Sequence, residues 1–192
     1  MGRPPSDARD RVLSIAVKHL KRQGPSAITL DEIAAEAGCA KGLITYHFES
    51  KDRLIQAASE EILGDHQAAW ASALHGNALD DVIRQTWQTL LAEARDGHWR
   101  AWLPLATSRD RVISQLVSNH ASSFADSLRM AAESQMRTLG LQPAISIAEL
   151  GQFLAAGLQG IGLRLATGVK PEALEGAHSA LWAAVLGMTR PD

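Results

Sequence analysis

The chain has 192 residues, of which 46% are apolar and 21% are charged, and its formal net charge is −2. This composition is typical of a folded protein with a substantial core, and it excludes a mainly disordered or low-complexity chain. The single cysteine excludes an internal disulfide and a cysteine-based zinc site. Because the N-terminus also shows no apolar leader segment, we expect a cytoplasmic protein.

Basic residues are concentrated near the N-terminus. Between Met1 and Gly24, six basic residues stand against two acidic ones, although the whole chain is slightly acidic. Such a segment indicates a surface that faces phosphate groups, and a solvated helix face is the simpler alternative. The most apolar stretch, Ile145 to Val169, is interrupted by charged and amide residues, so we expect no membrane span.

Apolar residues recur at helical spacing almost throughout the chain, and no segment shows convincing strand alternation. We therefore predict an all-α fold of nine helices. The first helix spans about residues 7–23 and ends at Gly24. The second begins at Thr29, where the spacing to Glu32 predicts a capping box, and ends at Gly38.

A very short third helix is predicted over about residues 40–47, and Ser50 then caps a long fourth helix that ends near Leu74. A fifth helix is expected over about residues 80–95, and a short sixth helix contains Pro104. The last three helices are predicted from Ser108 to Gly140, from near Pro143 to Gly168, and from Pro171 onward.

Residues 29–51 show the pattern of a helix-turn-helix, in which two short helices meet at a tight glycine turn. The second helix of such a motif enters the DNA major groove, which is about 12 Å wide and admits one helix. An apolar core supports that helix, and its outer face can reach phosphates and base edges. The candidate DNA-binding residues are Arg3 in the N-terminal arm, Thr29, Ala40, Lys41, Gly42, Thr45, Tyr46, His47 and Lys51.

The segment from about Asp10 to Ile62 resembles the DNA-binding region of the TetR family of bacterial transcriptional regulators. The resemblance is carried by Thr29, Ile33, Ala34, Ala37, Gly38, Lys41, Gly42, Tyr46, Phe48, Lys51 and Leu54. One position departs from the family pattern, because Ala40 stands where the family often has Ser or Thr. A Ser or Thr there caps the third helix, and losing that cap costs about 1 kcal/mol.

The resemblance implies a nine-helix, homodimeric repressor that a small-molecule effector releases from a palindromic double-stranded DNA operator. Residues 1–50 would form the helix-turn-helix DNA-binding domain, and residues 51–192 would form the effector-binding and dimerisation domain. The last two helices of each subunit would build the dimer interface. The sequence contains no nucleophile-elbow, P-loop or zinc-protease motif, so we predict no cofactor and no enzymatic activity.

Tryptophans in the fourth to sixth helices fall where the family places its effector cavity. Aromatic walls suit an apolar or cationic ligand, and ordinary core packing is the alternative. The predicted effector pocket comprises Trp70, Trp87, Leu91, Trp102, His120, Phe124 and Gly157. The predicted dimer interface comprises Leu154, Leu158, Ile161, Leu174, Leu181, Trp182 and Val185.

Two other functions compete with a ligand-responsive repressor. One is a small-molecule binding or sequestering protein whose helix-turn-helix does not act on an operator. The other is an all-α hydrolase built on Asp96, His98 and Ser108, which no catalytic motif supports. The seven histidines include no pair four residues apart, so we predict no metal site on a helix face.

Overall fold

The computed structural model describes residues 5–76 and 78–191. Over these residues the chain forms nine α-helices, one 3-10 turn and two short strands, which confirms the all-α prediction. The helices are α1 (Pro5–Gln23), α2 (Leu30–Ala37), α3 (Lys41–Phe48), α4 (Lys51–Leu74), α5 (Leu79–Asp96), α6 (His98–Ala106), α7 (Arg111–Leu139), α8 (Ile147–Ala166) and α9 (Pro171–Gly187). Each of them is too short or too polar to cross a membrane.

Local signals set the ends of α2. The Thr29 hydroxyl accepts a hydrogen bond from the backbone N–H of Glu32 at 3.2 Å and donates one to the Glu32 carboxylate at 2.9 Å. The carboxylate therefore reaches back to the hydroxyl, whereas the predicted capping box has it accepting from the backbone N–H of Thr29. Gly38 ends α2 in the left-handed conformation, with φ 62° and ψ 40°, which glycine adopts without strain.

Two helix starts differ from the prediction. Asp110 caps α7 instead of Ser108, because its carboxylate accepts from the backbone N–H groups of Val112 and Ile113, at 2.8 and 3.0 Å. The α8 helix begins after Ser146, which forms a complete capping box with Glu149. Pro143 lies before this helix, in a strand.

The strands β1 (Leu141–Pro143) and β2 (Thr189–Pro191) form an antiparallel pair that the sequence did not predict. Leu141 lies opposite Pro191, and Pro143 lies opposite Thr189. A strand of three residues is too short to show alternation, and its partner is distant in sequence.

The chain divides into two compact units. The first unit contains the residues up to Asp65 and Arg100–Val117, and the second contains His66–Trp99 and the residues from Ser118 onward. In the first unit α1, α2 and α3 pack together around buried Ile28, Ile33 and Ile44. In the second unit α8 packs on α5 and α9, and large side chains such as Trp70, Trp99 and Phe124 are fully buried.

Candidate nucleic-acid interface

The second helix of the predicted motif, α3, is supported from below by apolar side chains. Ile44 is 1% exposed and Phe48 is 5% exposed, whereas Leu43 is half-buried. The Arg11 guanidinium donates to the carbonyl of Ala37 at 2.9 Å, and this bond joins α1 to the end of α2. Apolar packing under α3, together with the bond between α1 and α2, therefore holds the candidate residues in position.

The outer face of α3 is open to solvent. Lys41, Gly42, Thr45 and Tyr46 are all exposed, and the exposed fraction of Tyr46 reaches 80%. An aromatic side chain this exposed contributes little to folding, yet it offers a ring and a hydroxyl to a partner. A Cβ placed on Gly42 meets no atom within 4 Å, so another molecule can approach the backbone closely there.

An ion pair partly covers the start of α3. The Lys41 ammonium lies 2.9 Å from the carboxylate of Asp31, and the two side chains are 53% and 74% exposed. Water screens a pair this exposed, so it contributes at most about 1 kcal/mol. A DNA phosphate can therefore compete with Asp31 for Lys41, and sequence spacing did not reveal this role of the carboxylate.

Other predicted DNA-binding residues are less well placed. The Nε2 atom of His47 is buried and has no hydrogen-bond partner among the described residues, so His47 does not present this atom to a phosphate. Ala40 precedes α3 without a side-chain cap, and Thr29 already uses its hydroxyl to cap α2. Lys51 is half-buried at the first position of α4. Arg3 lies outside the described residues.

Two arginines that the sequence analysis omitted lie near α3. Together with His47 and Glu49, Arg9 and Arg53 line an open depression of about 290 Å³. The Arg9 guanidinium stands 5.1 Å from the ring centre of Phe48, and Arg53 is exposed in the first turn of α4. Both guanidinium groups are suited to phosphate contacts.

Residues 12–58 match the family model for bacterial regulatory proteins of the tetR family. This N-terminal segment is thus similar to the regulatory proteins that the family model describes. The HTH-type transcriptional regulator AcrR of Shigella flexneri is 32% identical over 82 residues, which cover 41% of this chain and 38% of that protein. The regulator SrpR of Pseudomonas putida is 37% identical over 51 residues, which cover 27% of this chain and 24% of that protein. The chain thus matches well under half the length of these curated relatives, which are named as regulators and not as enzymes.

Solved structures of this family share the fold along nearly the whole chain. A TetR transcriptional regulator from Chloroflexus aurantiacus has a TM-score of 0.82 at 18% identity, with 98% of each chain covered. A protein from Saccharomonospora viridis, solved in complex with choline, has a TM-score of 0.80 at 21% identity, with 96% of this chain and 98% of that chain covered.

Four of the residues predicted to line an effector pocket, Trp70, Trp87, His120 and Phe124, make ring contacts in the second compact unit. Trp70 and Phe124 are in edge contact, with ring centres 4.9 Å apart. The ring of Phe124 also contacts that of His66, and Nδ1 of His66 is hydrogen-bonded to Nε2 of His120. Trp87 packs instead on His178. Leu91 is half-buried, a Cβ on Gly157 would meet the side chain of Leu181, and Trp102 belongs to the first compact unit.

Burial corrects the choice of residues on the last two helices. Leu181 alone among the seven predicted dimer residues is half-buried, and the other six are at most 9% exposed within one protomer: Leu154, Leu158, Ile161, Leu174, Trp182 and Val185. These six side chains are buried within one protomer and are not available as a contact surface. The solvent-exposed faces of α8 and α9 carry a different set of residues.

The same second unit contains a group of buried polar side chains that sequence spacing did not reveal. We call His66, Glu93, His98 and His120 the imidazole cluster; they come from α4, α5, α6 and α7. Burial is the main cause that lowers the pKa of His66 well below its usual value, and His98 and His120 add to it. Burial also lowers the pKa of His120 to about 4, so both rings are neutral at pH 7.

The structure places Ser108, a residue of the hydrolase alternative, in a turn. His98 is buried in the second compact unit, whereas Ser108 belongs to the first. The Ser108 hydroxyl accepts from the backbone N–H of Asp110 at 3.2 Å, just before α7. Its position is that of a turn residue, and the curated relatives are regulators.

Proposed function

We propose that the chain is a sequence-specific DNA-binding transcriptional regulator. The observation that carries the proposal is the outer face of α3, where Lys41, Gly42, Thr45 and Tyr46 are exposed above buried Ile44. Tyr46 and Lys41 contact phosphates or base edges, and Gly42 allows close approach in the major groove. Arg9 and Arg53 add phosphate contacts at the border of this face.

The regulator acts as a homodimer on a palindromic operator. Two recognition helices read successive major grooves when they stand about 34–36 Å apart. The supporting surface is the outer face of α8 and α9, which is apolar and has small side chains that allow close helix packing. It consists of Phe153, Ala156 and Gly160 on α8 and of Ala173, Gly176, Ala177, Ala180 and Ala184 on α9.

A small molecule bound in the second compact unit releases the operator, which makes the protein a repressor. Residues 51–192 thus provide effector binding and dimerisation, and residues 1–50 provide DNA binding. The aromatic side chains of this unit, Trp70, Trp87 and Phe124 among them, favour an apolar or cationic effector. The choline complex of the Saccharomonospora viridis protein supports a cationic ligand class. Coupling of about 1–3 kcal/mol between the two sites suffices for release.

The first test is selection of bound fragments from random DNA at a fixed salt concentration, since phosphate contacts make affinity depend strongly on salt. We expect an enriched palindrome. Replacing Tyr46 with Phe and Lys41 with Ala together should abolish binding to it. Gln88→Ala, a change at an exposed position on α5, is the matched control and should bind normally.

Failure of the folded protein to enrich any sequence would contradict the proposal and favour the sequestering function. Dimerisation is tested separately by sedimentation. Ala177→Glu places a charge on the proposed contact face and should yield monomers, whereas Ala92→Glu on exposed α5 should not. A dimer that survives Ala177→Glu would place the interface elsewhere.

A further inference from the structure

The imidazole cluster has the composition of a metal site. His66, Glu93 and His98 are 3%, 8% and 3% exposed, and each offers a ligand atom within 4.8 Å of those of the other two. The Nε2 atom of His66 lies 3.9 Å from a carboxylate oxygen of Glu93, which is longer than a hydrogen bond and can be bridged by a cation. We propose that His66, Glu93 and His98 bind one divalent transition-metal ion of the zinc type.

The contacts around the three ligands favour this assignment. The Nδ1 atom of His66 lies 3.0 Å from Nε2 of His120, which fixes the ring and leaves Nε2 of His66 directed at the metal position. Metal-bound imidazoles nearly always use their second nitrogen in this way. The Trp70 indole N–H donates to both oxygens of Glu93, at 3.2 and 3.1 Å, and holds the carboxylate in place.

The space between the rings suits an ion better than an organic molecule. The rings of His66 and His98 are stacked with centres 4.6 Å apart, and those of His66 and His120 are 4.7 Å apart. No organic group fits between rings at these distances. A metal ion needs no space between the ring faces, because it binds one ligand atom of each side chain. Bonds of about 2.0–2.1 Å place tetrahedral ligand atoms roughly 3.4 Å apart, so binding draws the three side chains together by about an ångström.

The donor set also indicates the class of metal. Two neutral imidazoles and one carboxylate suit zinc, cobalt or nickel, whereas magnesium and calcium prefer oxygen ligands alone. Three protein ligands leave a fourth position for water or an exchangeable anion, as in zinc sites that are not purely structural. The ligands come from α4, α5 and α6, so the ion connects three helices that no short sequence motif links.

The test is direct titration of the chelator-treated full chain with Zn²⁺, followed by calorimetry and by the unfolding midpoint. We expect one Zn²⁺ per chain and a midpoint that rises with Zn²⁺ but not with Mg²⁺. His120→Gln should weaken binding by about 10- to 100-fold, as loss of an orienting partner does, and Glu93→Gln and His98→Gln should weaken it further. His178→Gln removes a buried histidine outside the cluster and is the matched control.

A second measurement needs no variant. Co²⁺ bound to the unmodified chain should show the visible absorption of a four- or five-coordinate site without a thiolate band, and Zn²⁺ should displace it. The proposal is overturned if the folded chain binds no Zn²⁺, or if Glu93→Gln and His98→Gln bind it as tightly as His178→Gln does. Neither readout uses DNA, so the proposal fails or stands independently of operator binding.

Discussion

Helix α3 and the core of the second compact unit use polar side chains in opposite ways. On α3 the polar residues point outward from an apolar core, and Tyr46 is 80% exposed. In the second unit His66, His98 and Glu93 are buried and contact one another. Chemistry and stability are therefore separable on α3, where a surface residue can change without affecting the core. In the imidazole cluster they are not separable, because the same side chains fill the interior.

The largest expected effect on stability distinguishes a buried residue of α3 from an exposed residue of the same helix. Ile44→Ala should lower the free energy of unfolding by about 2–5 kcal/mol, because it leaves a cavity under the helix. Tyr46→Ala should change it by less than about 0.5 kcal/mol, because the ring is mostly in solvent. Urea unfolding measures both changes. Equal losses for the two variants would show that the outer face also carries stability.

The packing of the second unit is tested by a pair of glycine substitutions. A Cβ on Gly162 would lie 2.2 Å from the ring of Trp99, so Gly162→Ala forces the tryptophan to shift and should cost about 1–3 kcal/mol. Gly64→Ala is the control, because no atom lies within 4 Å of its Cβ and alanine favours the helix by about 1 kcal/mol. A Gly162→Ala protein as stable as the parent would contradict tight packing at α8.

The buried histidines predict a stability that depends on pH. Burial lowers the pKa of His120 and of His178 to about 4 in the folded chain, whereas the unfolded value is about 6.5. The unfolded state therefore binds more protons, and stability is complete above pH 6.5 and falls as the pH drops toward 4. Each of these imidazoles adds up to about 1.4 kcal/mol per pH unit to the slope.

Urea unfolding between pH 7 and pH 4 measures this slope in metal-free buffer. His178→Gln should remove the part of the slope that this imidazole contributes, whereas Gln88→Ala, at an exposed position on α5, should leave the slope unchanged. A parent slope of zero over this interval would contradict the burial of neutral rings.

The smallest expected effect concerns the ion pair at the start of α3. Asp31→Asn removes the carboxylate that competes for Lys41, so affinity should rise by about 2- to 5-fold on any DNA sequence. Asp52→Asn, at an exposed position on α4, is the control for the change in net charge. An equal increase in both variants would assign the effect to overall charge instead of to the ion pair.

The N-terminal motif could be predicted from sequence because its signals are local. Thr29, Gly38 and Ile44 act on neighbours within one or two turns, and the turn and the buried face follow from spacing alone. The ion pair of Lys41 with Asp31 could not be predicted, because it depends on the angle between two helices.

The second unit was less predictable because its important contacts are distant in sequence. The members of the imidazole cluster come from four helices, and no spacing rule brings His66, Glu93 and His120 together. The predicted dimer residues show the same limit. An apolar stripe on α8 or α9 does not reveal whether it faces a neighbouring helix or a second subunit, and six of the seven residues face inward.

The exposed position of Tyr46 has a practical consequence. It is the only tyrosine in the chain. Biosynthetic incorporation of fluorotyrosine therefore gives a protein with a single fluorine resonance, located on the outer face of α3. Its chemical shift is expected to respond when DNA replaces water at this ring, and ligands can be screened by whether they restore the unbound signal.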